Sequence, residues 1–360
     1  MTRVAPVDVA VIGGGPAGSA VSAVLAPAGY DVVVVERRPK VTERIGEILP
    51  PSIQQPLAAL GVWPAFLSGP HLPAVGQGSS WGGDDVVHRD FLADPYGNGW
   101  HVDRACFDQM LQDAARGAGA RIELGTALVR AERSSIGWDL ALRSTSGPSQ
   151  IGARFVVDAS GRSRSFARLI GVGQDRTDAM VACFTYVATP EAAVVETLVE
   201  ATRDGWWYAA PLPGRRSIVA FLTDGARLAR GGPGDLAAQL PPAIAARIPP
   251  LAPGAPLRKV AADSSRLRLA AADRWIAVGD AAATHDPLAA QGIDRALRSG
   301  LRAAEAIALA MHDRPSALHN YAAMQRGSFA TYLQLRRRFY ALERRWPGAG
   351  FWSERSARPG

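Results

Sequence analysis

A glycine-rich turn near the amino terminus constrains the fold of this chain more than any other feature. Residues 11–18 read Val-Ile-Gly-Gly-Gly-Pro-Ala-Gly, which places a Gly-x-Gly-x-x-Gly pattern at Gly13, Gly15 and Gly18. An apolar run precedes the pattern, an alanine-rich stretch follows it, and a second apolar run ends in Glu36. Strand, tight turn, helix, strand and acid in this order are the context in which the pattern predicts dinucleotide binding.

Each residue of this pattern has a physical task in such a site. Gly13 permits the turn, Gly15 lets the backbone approach a pyrophosphate, and Gly18 lets the helix pack closely on the strand. The N-terminus of the helix then presents unpaired N–H groups to the phosphates. The Glu36 carboxylate can accept both hydrogen bonds of a ribose diol, which favours FAD or NAD over NADP.

Two further motifs follow in the same chain. The stretch from Asp158 to Gly161 reads Asp-Ala-Ser-Gly, and Gly279-Asp280 stands at the end of a predicted buried strand. A carboxylate at that strand end is placed to accept hydrogen bonds from ribityl hydroxyls. The segment from Pro287 to Ile293 opens a predicted helix, and a helix N-terminus aimed at a flavin would stabilise the negative charge of its reduced form.

In this order the motifs resemble those of the flavoprotein monooxygenase superfamily with the p-hydroxybenzoate-hydroxylase-type fold, over nearly the whole chain. The sequence is similar to the tryptophan-halogenase-related branch in segments 46–51, 286–288 and 343–347. That branch includes flavoproteins that modify a tryptophan of a partner polypeptide, and residues 206–213 are similar to those members. The FAD contacts expected from the motifs and the resemblance are Gly13, Gly15, Gly18, Glu36, Arg44, Arg104, Asp158, Gly161, Gly279, Asp280, Pro287, Gly292 and Ile293.

The order of apolar segments and the resemblance together predict an α/β fold. A Rossmann-like FAD-binding domain, discontinuous over 1–173 plus 263–312, is expected to carry an inserted, mainly antiparallel β-sheet substrate domain over 174–262. A helical C-terminal tail is expected over 313–360.

Composition narrows the function classes. The chain has 360 residues and 48% apolar content, and no apolar run reaches the roughly 18 residues of a membrane span. Two cysteines are too few for a disulfide framework or a zinc site. We therefore expect a cytoplasmic protein without targeting segment, metal, membrane span or nucleic-acid motif. The net charge is 40 − 33 = +7, which indicates a solvated basic surface or an acidic partner.

Three departures from the halogenase pattern argue against halogenation. Such enzymes carry a lysine in the segment after a Gly-Glu motif. Here that motif is Gly46-Glu47, and residues 60–105 contain no lysine. They place a glutamate where this chain has Ala289, and their Trp-x-Trp-x-Ile-Pro motif is replaced by Trp-Trp-Tyr-Ala-Ala-Pro over 206–211. Arginine cannot replace the lysine, because it stays protonated and is a poor nucleophile.

Without the halide machinery, the resemblance implies a monooxygenase that hydroxylates an electron-rich aromatic ring through a flavin C4a-hydroperoxide. The expected substrate is an indole or tryptophan-like ring, in a small molecule or a tryptophan-containing polypeptide. Reducing equivalents would come from NAD(P)H directly or through a separate flavin reductase. Two alternatives stay open: an FAD-dependent reductase or dehydrogenase of the same superfamily, and a non-catalytic flavoprotein escort of a partner protein.

Five residues are candidates for the chemistry. Glu47 lies in a proline-bounded loop that the resemblance brings near the flavin, as a proton-handling or substrate-orienting carboxylate or as a helix-start acid. His285, beside Asp286, is the general-base candidate or a partly exposed loop histidine. Trp206 and Tyr208 are expected to form an aromatic wall of the substrate pocket or to pack in the core.

The arginines of interest have alternative interpretations as well. Arg44 either neutralises the FAD diphosphate or is a surface residue, and Arg104 matches an FAD-contacting position of the family. Residues 336–338 are three consecutive arginines in the helical tail. We expect them on a solvated face, with docking of an acidic peptide as the alternative.

Overall fold

The computed structural model of the protein describes residues 6–189, 195–231, 239–251 and 257–356. Parts of the predicted 174–262 and 313–360 segments therefore lie outside the described residues. The strands are β1 Val7–Ile12, β2 Val32–Glu36, β3 Ile48–Leu49, β4 Leu72–Ala74, β5 Gly76–Ser80, β6 Val87–Asp90, β7 Gly99–His101, β8 Arg121–Leu124, β9 Ala127–Arg133, β10 Trp138–Ser144, β11 Gly147–Asp158, β12 Gln174–Arg176, β13 Met180–Ala188, β14 Glu196–Thr202, β15 Gly205–Leu212, β16 Arg216–Asp224, β17 Arg258–Ala261, β18 Ser265–Leu267, β19 Ala271–Ala272, β20 Trp275–Ala277 and β21 Ala283–Thr284. The α-helices are α1 Pro16–Leu25, α2 Gln54–Ala59, α3 Trp63–Leu67, α4 Arg104–Gly117, α5 Ser165–Leu169, α6 Gly225–Gly231, α7 Pro242–Ala245, α8 Gly292–Met311, α9 Ser316–Tyr340 and α10 Gly350–Ser356.

The first sheet places the sequence motifs side by side. Its strand order is β19-β20-β11-β1-β2-β8, with β10 and β9 attached to β11. Strands β20, β11, β1, β2 and β8 are parallel, so their carboxyl ends meet at one edge, where open α/β sheets bind ligands. Gly13, Glu36, Asp158 and Gly279 all lie at or just after those ends, and the predicted α/β fold is confirmed.

Both faces of this sheet are covered, which explains the nearly continuous apolar runs of its strands. Alternate residues of β1 and β2, such as Val9 and Val34, pack against α1, α4, α8 and α9. The residues between them, such as Ala10 and Val33, pack against β10, β11 and α5. Sequence patterning alone predicted these strands because each one is buried on two sides.

The second sheet recruits strands from beyond the predicted insertion. Its order is β17-β13-β16-β15-β14-β5-β6, and it is antiparallel except where β14 pairs in parallel with β5. Strands β5 and β6 belong to the segment assigned to 1–173. They pair with the edge that β14 would otherwise leave without hydrogen-bond partners.

The tail helices close the molecule against this second sheet. Tyr340 of α9 and Trp352 of α10 join Trp206 of β15 in one buried cluster. None of the helices in the four described ranges is long and apolar enough to cross a bilayer.

Candidate active site

The first glycine motif is built for close backbone approach. Gly13 has a φ of +112°, and a Cβ there would lie 2.4 Å from the carbonyl oxygen of Ala159. A Cβ on Gly18 would lie 2.0 Å from the carbonyl oxygen of Gly13. Both positions therefore require glycine, and Gly13 packs the first motif directly against the middle motif.

Gly15 differs, because its missing Cβ faces open space. The nearest atom to a Cβ there would be Nη2 of Arg44, at 3.9 Å. Gly15 is also the N-cap of α1, where it gives no side-chain hydrogen bond, so N–H groups of the first turn stay available to an anion. A glycine cradle, a helix N-terminus and a guanidinium converge here, which fits a pyrophosphate.

A buried aspartate that sequence analysis missed positions the Arg44 guanidinium. Asp108 of α4 accepts a hydrogen bond of 2.8 Å from Arg44 Nε, while the Arg44 side chain stays 34% exposed. Arg104 is almost fully buried and donates to Asp108 and to the carbonyl oxygens of Ile45 and Gly46. Arg104 therefore braces the loop that carries Glu47.

Glu36 stands at the end of β2 beside the glycine turn. Its Oε2 accepts the Gly14 N–H at 2.8 Å, and its Oε1 accepts the Arg38 N–H at 2.9 Å. Each carboxylate oxygen has a further lone pair, so both can also accept from a ribose diol. Gln112 of α4, which the sequence did not single out, donates to the Gly14 carbonyl oxygen at 2.8 Å and holds the turn from the other side.

The middle motif, Asp158 to Gly161, sets the backbone conformation of the loop after β11. Asp158 is fully buried, and its carboxylate accepts hydrogen bonds from Ser160 and from the Ala167 N–H. Burial raises the pKa of this carboxyl. Gly161 takes the left-handed conformation at φ +66°. Asp158 therefore shapes the loop that abuts Gly13.

The third motif places a carboxylate in the same cleft. Gly279 turns the chain at φ +56° directly against α1, where a Cβ would lie 3.0 Å from that of Ala17. The Asp280 side chain is 45% exposed, and its Oδ2 lies 3.8 Å from Arg162 Nε. The walls of the cleft still desolvate Asp280 enough to raise the pKa of its carboxyl, against the opposing effect of nearby arginines that include Arg162 and Arg44.

The predicted flavin-facing segment is a tight turn followed by a helix start. Residues 287–289 form a single 3₁₀ turn, and Ala290 takes the left-handed conformation at φ +50°. Helix α8 then begins at Gly292 without a side-chain cap, and nothing approaches within 4 Å of where a Gly292 Cβ would be. Ile293 is buried in the core and anchors this turn.

A cavity of about 250 Å³ lies between the flavin-facing turn, residues 287–293, and the residues that follow the Gly46-Glu47 loop, which we call the Gly-Glu loop. Residues 48–52 form one wall and residues 289–291 another. Gln77 of β5 and Arg89 of β6 contribute side chains from the second sheet. Ala289, the position at which halogenases carry a glutamate, lies in this wall.

Glu47 is buried, directly precedes the cavity-lining residues 48–52, and is held by a tyrosine that sequence analysis missed. Tyr186 of β13 donates a 2.6 Å hydrogen bond to Glu47 Oε1, and the Gly46 N–H donates to Oε2 at 2.7 Å. Desolvation by burial raises the pKa of Glu47 despite these bonds. Burial therefore favours the protonated form of Glu47 more than solvent does for an exposed glutamate.

His285 is a weak proton acceptor in this fold. Its ring stacks edge-on against Tyr332 and Phe329 at centroid distances of 4.6 and 5.7 Å. Burial, followed by the charges of Arg295 and Arg162, lowers the pKa of His285 to about 3. The imidazole is therefore neutral at physiological pH.

Asp286 is the centre of a buried network that α9 supplies. Arg336 Nε donates to Asp286 Oδ2 at 3.1 Å, and the Tyr340 hydroxyl donates to the same oxygen at 2.7 Å. The Asp286 N–H donates to the Tyr332 hydroxyl, and Oδ1 accepts from the Leu288 N–H. Tyr332, Arg336 and Tyr340 follow one another at helical spacing, so one face of α9 fixes the start of the flavin-facing turn.

This network corrects the expectation for the tail arginines. Arg336 does not lie on a solvated face: its side chain is 7% exposed, and Nη2 also pairs with Asp178 at 2.9 Å. Only Arg338 of the three is fully on the surface, with Arg337 half-buried. A buried guanidinium is tolerated here because two carboxylates neutralise it.

The two aromatic candidates share one face of β15. Trp206 and Tyr208 both point into the cluster closed by the tail, while Trp207 points to the opposite face. Trp206 Nε1 donates to the Tyr340 hydroxyl at 3.0 Å, so it links β15 to the Asp286 network. Burial raises the pKa of Tyr208, and the nearby Glu47 carboxylate raises it further.

Comparisons with known proteins identify the family and the fold. A family model described as an FAD binding domain matches residues 6–334. LodB of Marinomonas mediterranea, whose name is FAD-dependent oxidoreductase, is 29% identical over 97% of this chain and 97% of its own length. CmlS, a flavin-dependent halogenase, superposes with a TM-score of 0.86 at 26% identity and covers 100% of this chain and 68% of its own. The peptidyl tryptophan dihydroxylase QhpG, essential for tryptophylquinone cofactor biogenesis, shares the fold with a TM-score of 0.80 at 24% identity, covering 99% of this chain and 80% of its own.

The family match spans all three motifs and both sheets. The chain belongs to the FAD-binding-domain family and is an FAD-dependent oxidoreductase of its halogenase-related monooxygenase branch.

Proposed function

We propose that this chain is an FAD-dependent monooxygenase that hydroxylates an electron-rich aromatic ring of the indole class, presented as a tryptophan side chain of a polypeptide. The observation that carries the proposal is the cavity between the flavin-facing turn and the Gly-Glu loop. Its wall has Ala289 where halogenases carry a glutamate, and Glu47, which accepts a hydrogen bond from Tyr186, directly precedes its lining residues 48–52.

The residues proposed to hold FAD are those that the cleft brings together. Glu36 binds the ribose diol, Gly15 and Arg44 bind the diphosphate, and Asp280 accepts from the ribityl hydroxyls. Gly292 and the free N-terminus of α8 face the ring system. Bound FAD supplies the redox chemistry that activates oxygen, and the protein's task is to orient the substrate ring and to exclude water.

Glu47 is proposed to handle the proton of the reaction. Hydroxylation of an aromatic carbon replaces its C–H bond by C–OH, with one oxygen atom of O₂ entering the product and the other leaving as water after two electrons and two protons are taken up. The ring carbon must lose its proton when aromaticity returns. The Glu47 carboxylate, hydrogen-bonded by Tyr186, is a suitable acceptor for that proton.

One likeness supports a polypeptide substrate. QhpG, which shares the fold, is a peptidyl tryptophan dihydroxylase. Electrons are proposed to come from NAD(P)H, either directly or through a separate flavin reductase, since the cleft described above accounts for one dinucleotide.

The test is mass spectrometry of tryptophan-bearing peptides and free indoles after incubation with FAD, NAD(P)H, a flavin reductase and ¹⁸O₂. We expect ¹⁸O in a tryptophan of the peptide and none from H₂¹⁸O. Turnover without oxygen would instead support the reductase alternative. A product brominated or chlorinated in the presence of halide would overturn the monooxygenase assignment.

A further inference from the structure

The outer face of α9 carries an apolar stripe at its carboxyl end. Leu335 and Phe339 are 48% and 56% exposed and lie one helical turn apart on α9. Leu342, in the turn that follows the end of the helix at Tyr340, is 55% exposed and extends the stripe. Single exposed apolar residues are ordinary, whereas a contiguous row at helical spacing marks a surface that another chain can cover.

The chain segment that forms α9 and the turn after it is basic and has no acidic residue. Residues 314–342 contain five arginines and no aspartate or glutamate. Arg338 and Arg344 are exposed beside the stripe, and neither forms an ion pair within the part of the chain that the structure describes. Glu343, the first acid beyond the stretch, is buried and held by Arg345.

An open groove of about 430 Å³ continues this surface beyond the end of α9. Ala341, Arg344, Pro347 and Trp352 line it. A concave groove accepts an inserted side chain, whereas a lipid bilayer meets convex apolar surfaces. The shape therefore favours a protein partner over a membrane.

We propose that the stripe, Arg338, Arg344 and the adjoining groove form a docking surface for an acidic amphipathic helix of a partner polypeptide. Apolar residues of that helix would cover Leu335, Phe339 and Leu342, and its carboxylates would face the arginines. This inference deepens the proposed function, because it names the kind of polypeptide that brings the aromatic substrate.

The surface is linked to the cavity through β5. Trp81, directly after β5, donates from Nε1 to the Phe339 carbonyl oxygen at 2.9 Å, and Gln77 of the same strand lines the cavity. Four residues of strand span about 13 Å, so a partner anchored on α9 needs only a short extended segment to reach the cavity. The inner face of the same helix holds Asp286.

The experiment measures binding of a fluorescein-labelled acidic peptide of about 18 residues, with leucines on one helical face, glutamates on the other and no tryptophan. Fluorescence anisotropy is read against the whole protein, without reductant. We expect salt-sensitive binding that weakens at least about tenfold for a scrambled peptide of identical composition. Arg338→Glu and Phe339→Ser should each weaken binding by about tenfold or more.

Arg143→Glu is the matched control, because it removes the same charge from an exposed position on β10 and should leave binding within about twofold. Equal binding of the scrambled peptide, or equal loss in Arg143→Glu, would overturn the proposal by showing attraction to net charge alone. Binding of anionic phosphatidylserine vesicles that Phe339→Ser abolishes, without peptide binding, would assign the surface to a membrane instead. Since no turnover is measured, a negative result leaves the ¹⁸O₂ test of the proposed function unaffected.

Discussion

Replacing Arg336 with methionine tests whether α9 holds the flavin-facing turn. Arg336 Nε lies 3.1 Å from Asp286 Oδ2, and Nη2 lies 2.9 Å from Asp178 Oδ2. The three side chains are 7%, 2% and 10% exposed. Methionine keeps most of the apolar stem but leaves two nearly buried carboxylates without their cation.

The expected loss follows from that burial. Removing one partner of a buried ion pair costs about 3–5 kcal/mol, because the remaining charge is left uncompensated. Asp286 keeps its hydrogen bonds from Tyr340 and the Leu288 N–H, so we expect the lower end, about 3 kcal/mol. The assay is urea unfolding followed by tryptophan fluorescence, with FAD retention after gel filtration as the readout of the turn.

The matched control is Arg338→Met, two positions along the same helix and exposed. A surface substitution of this kind should change the unfolding free energy by no more than about 0.5 kcal/mol. If Arg336→Met is as stable as Arg338→Met and retains FAD equally, the Asp286 network does not hold the turn.

Three further predictions concern the cleft. Glu36→Ala should weaken FAD binding by about 1–3 kcal/mol through lost charge-assisted hydrogen bonds, measured by flavin fluorescence titration; unchanged affinity would remove Glu36 from the ribose. Burial raises the pKa of Glu47, so its contribution to stability is present below the unfolded-state pKa and is lost as pH rises through the folded-state pKa. The unfolding free energy of Glu47→Gln should therefore increase relative to that of the native chain as pH rises. A difference between the two unfolding free energies that does not change with pH would contradict the cost of burying the ionised Glu47 carboxylate. With bromide, reduced flavin and indoles we expect no halogenated product by mass spectrometry, because residues 60–105 contain no lysine; a brominated indole would refute this.

The sequence by itself determined the cofactor turn and the strands beneath it. Gly13 has a positive φ, and a Cβ there would lie 2.4 Å from a carbonyl oxygen. Only glycine fits this backbone conformation and this close approach, so the residue type itself reveals the turn in the sequence. Strands β1 and β2 are buried on both faces, so their apolar runs are unambiguous. The order of the apolar segments, together with the family resemblance, then predicted the α/β fold, and the strand topology and the family match bear this out.

Tertiary structure alone decided which polar residues are buried together. Strand β14 carries Glu196 and Glu200, which are buried because the Arg247 guanidinium and the Ile244 N–H donate hydrogen bonds to them. Tyr186 reaches Glu47 across 139 positions of sequence, and no local pattern marks either residue as the other's partner. Arg336 looked like a surface residue for the same reason. A polar group can be buried only where distant segments supply its partners, and those partners become visible only in the folded chain.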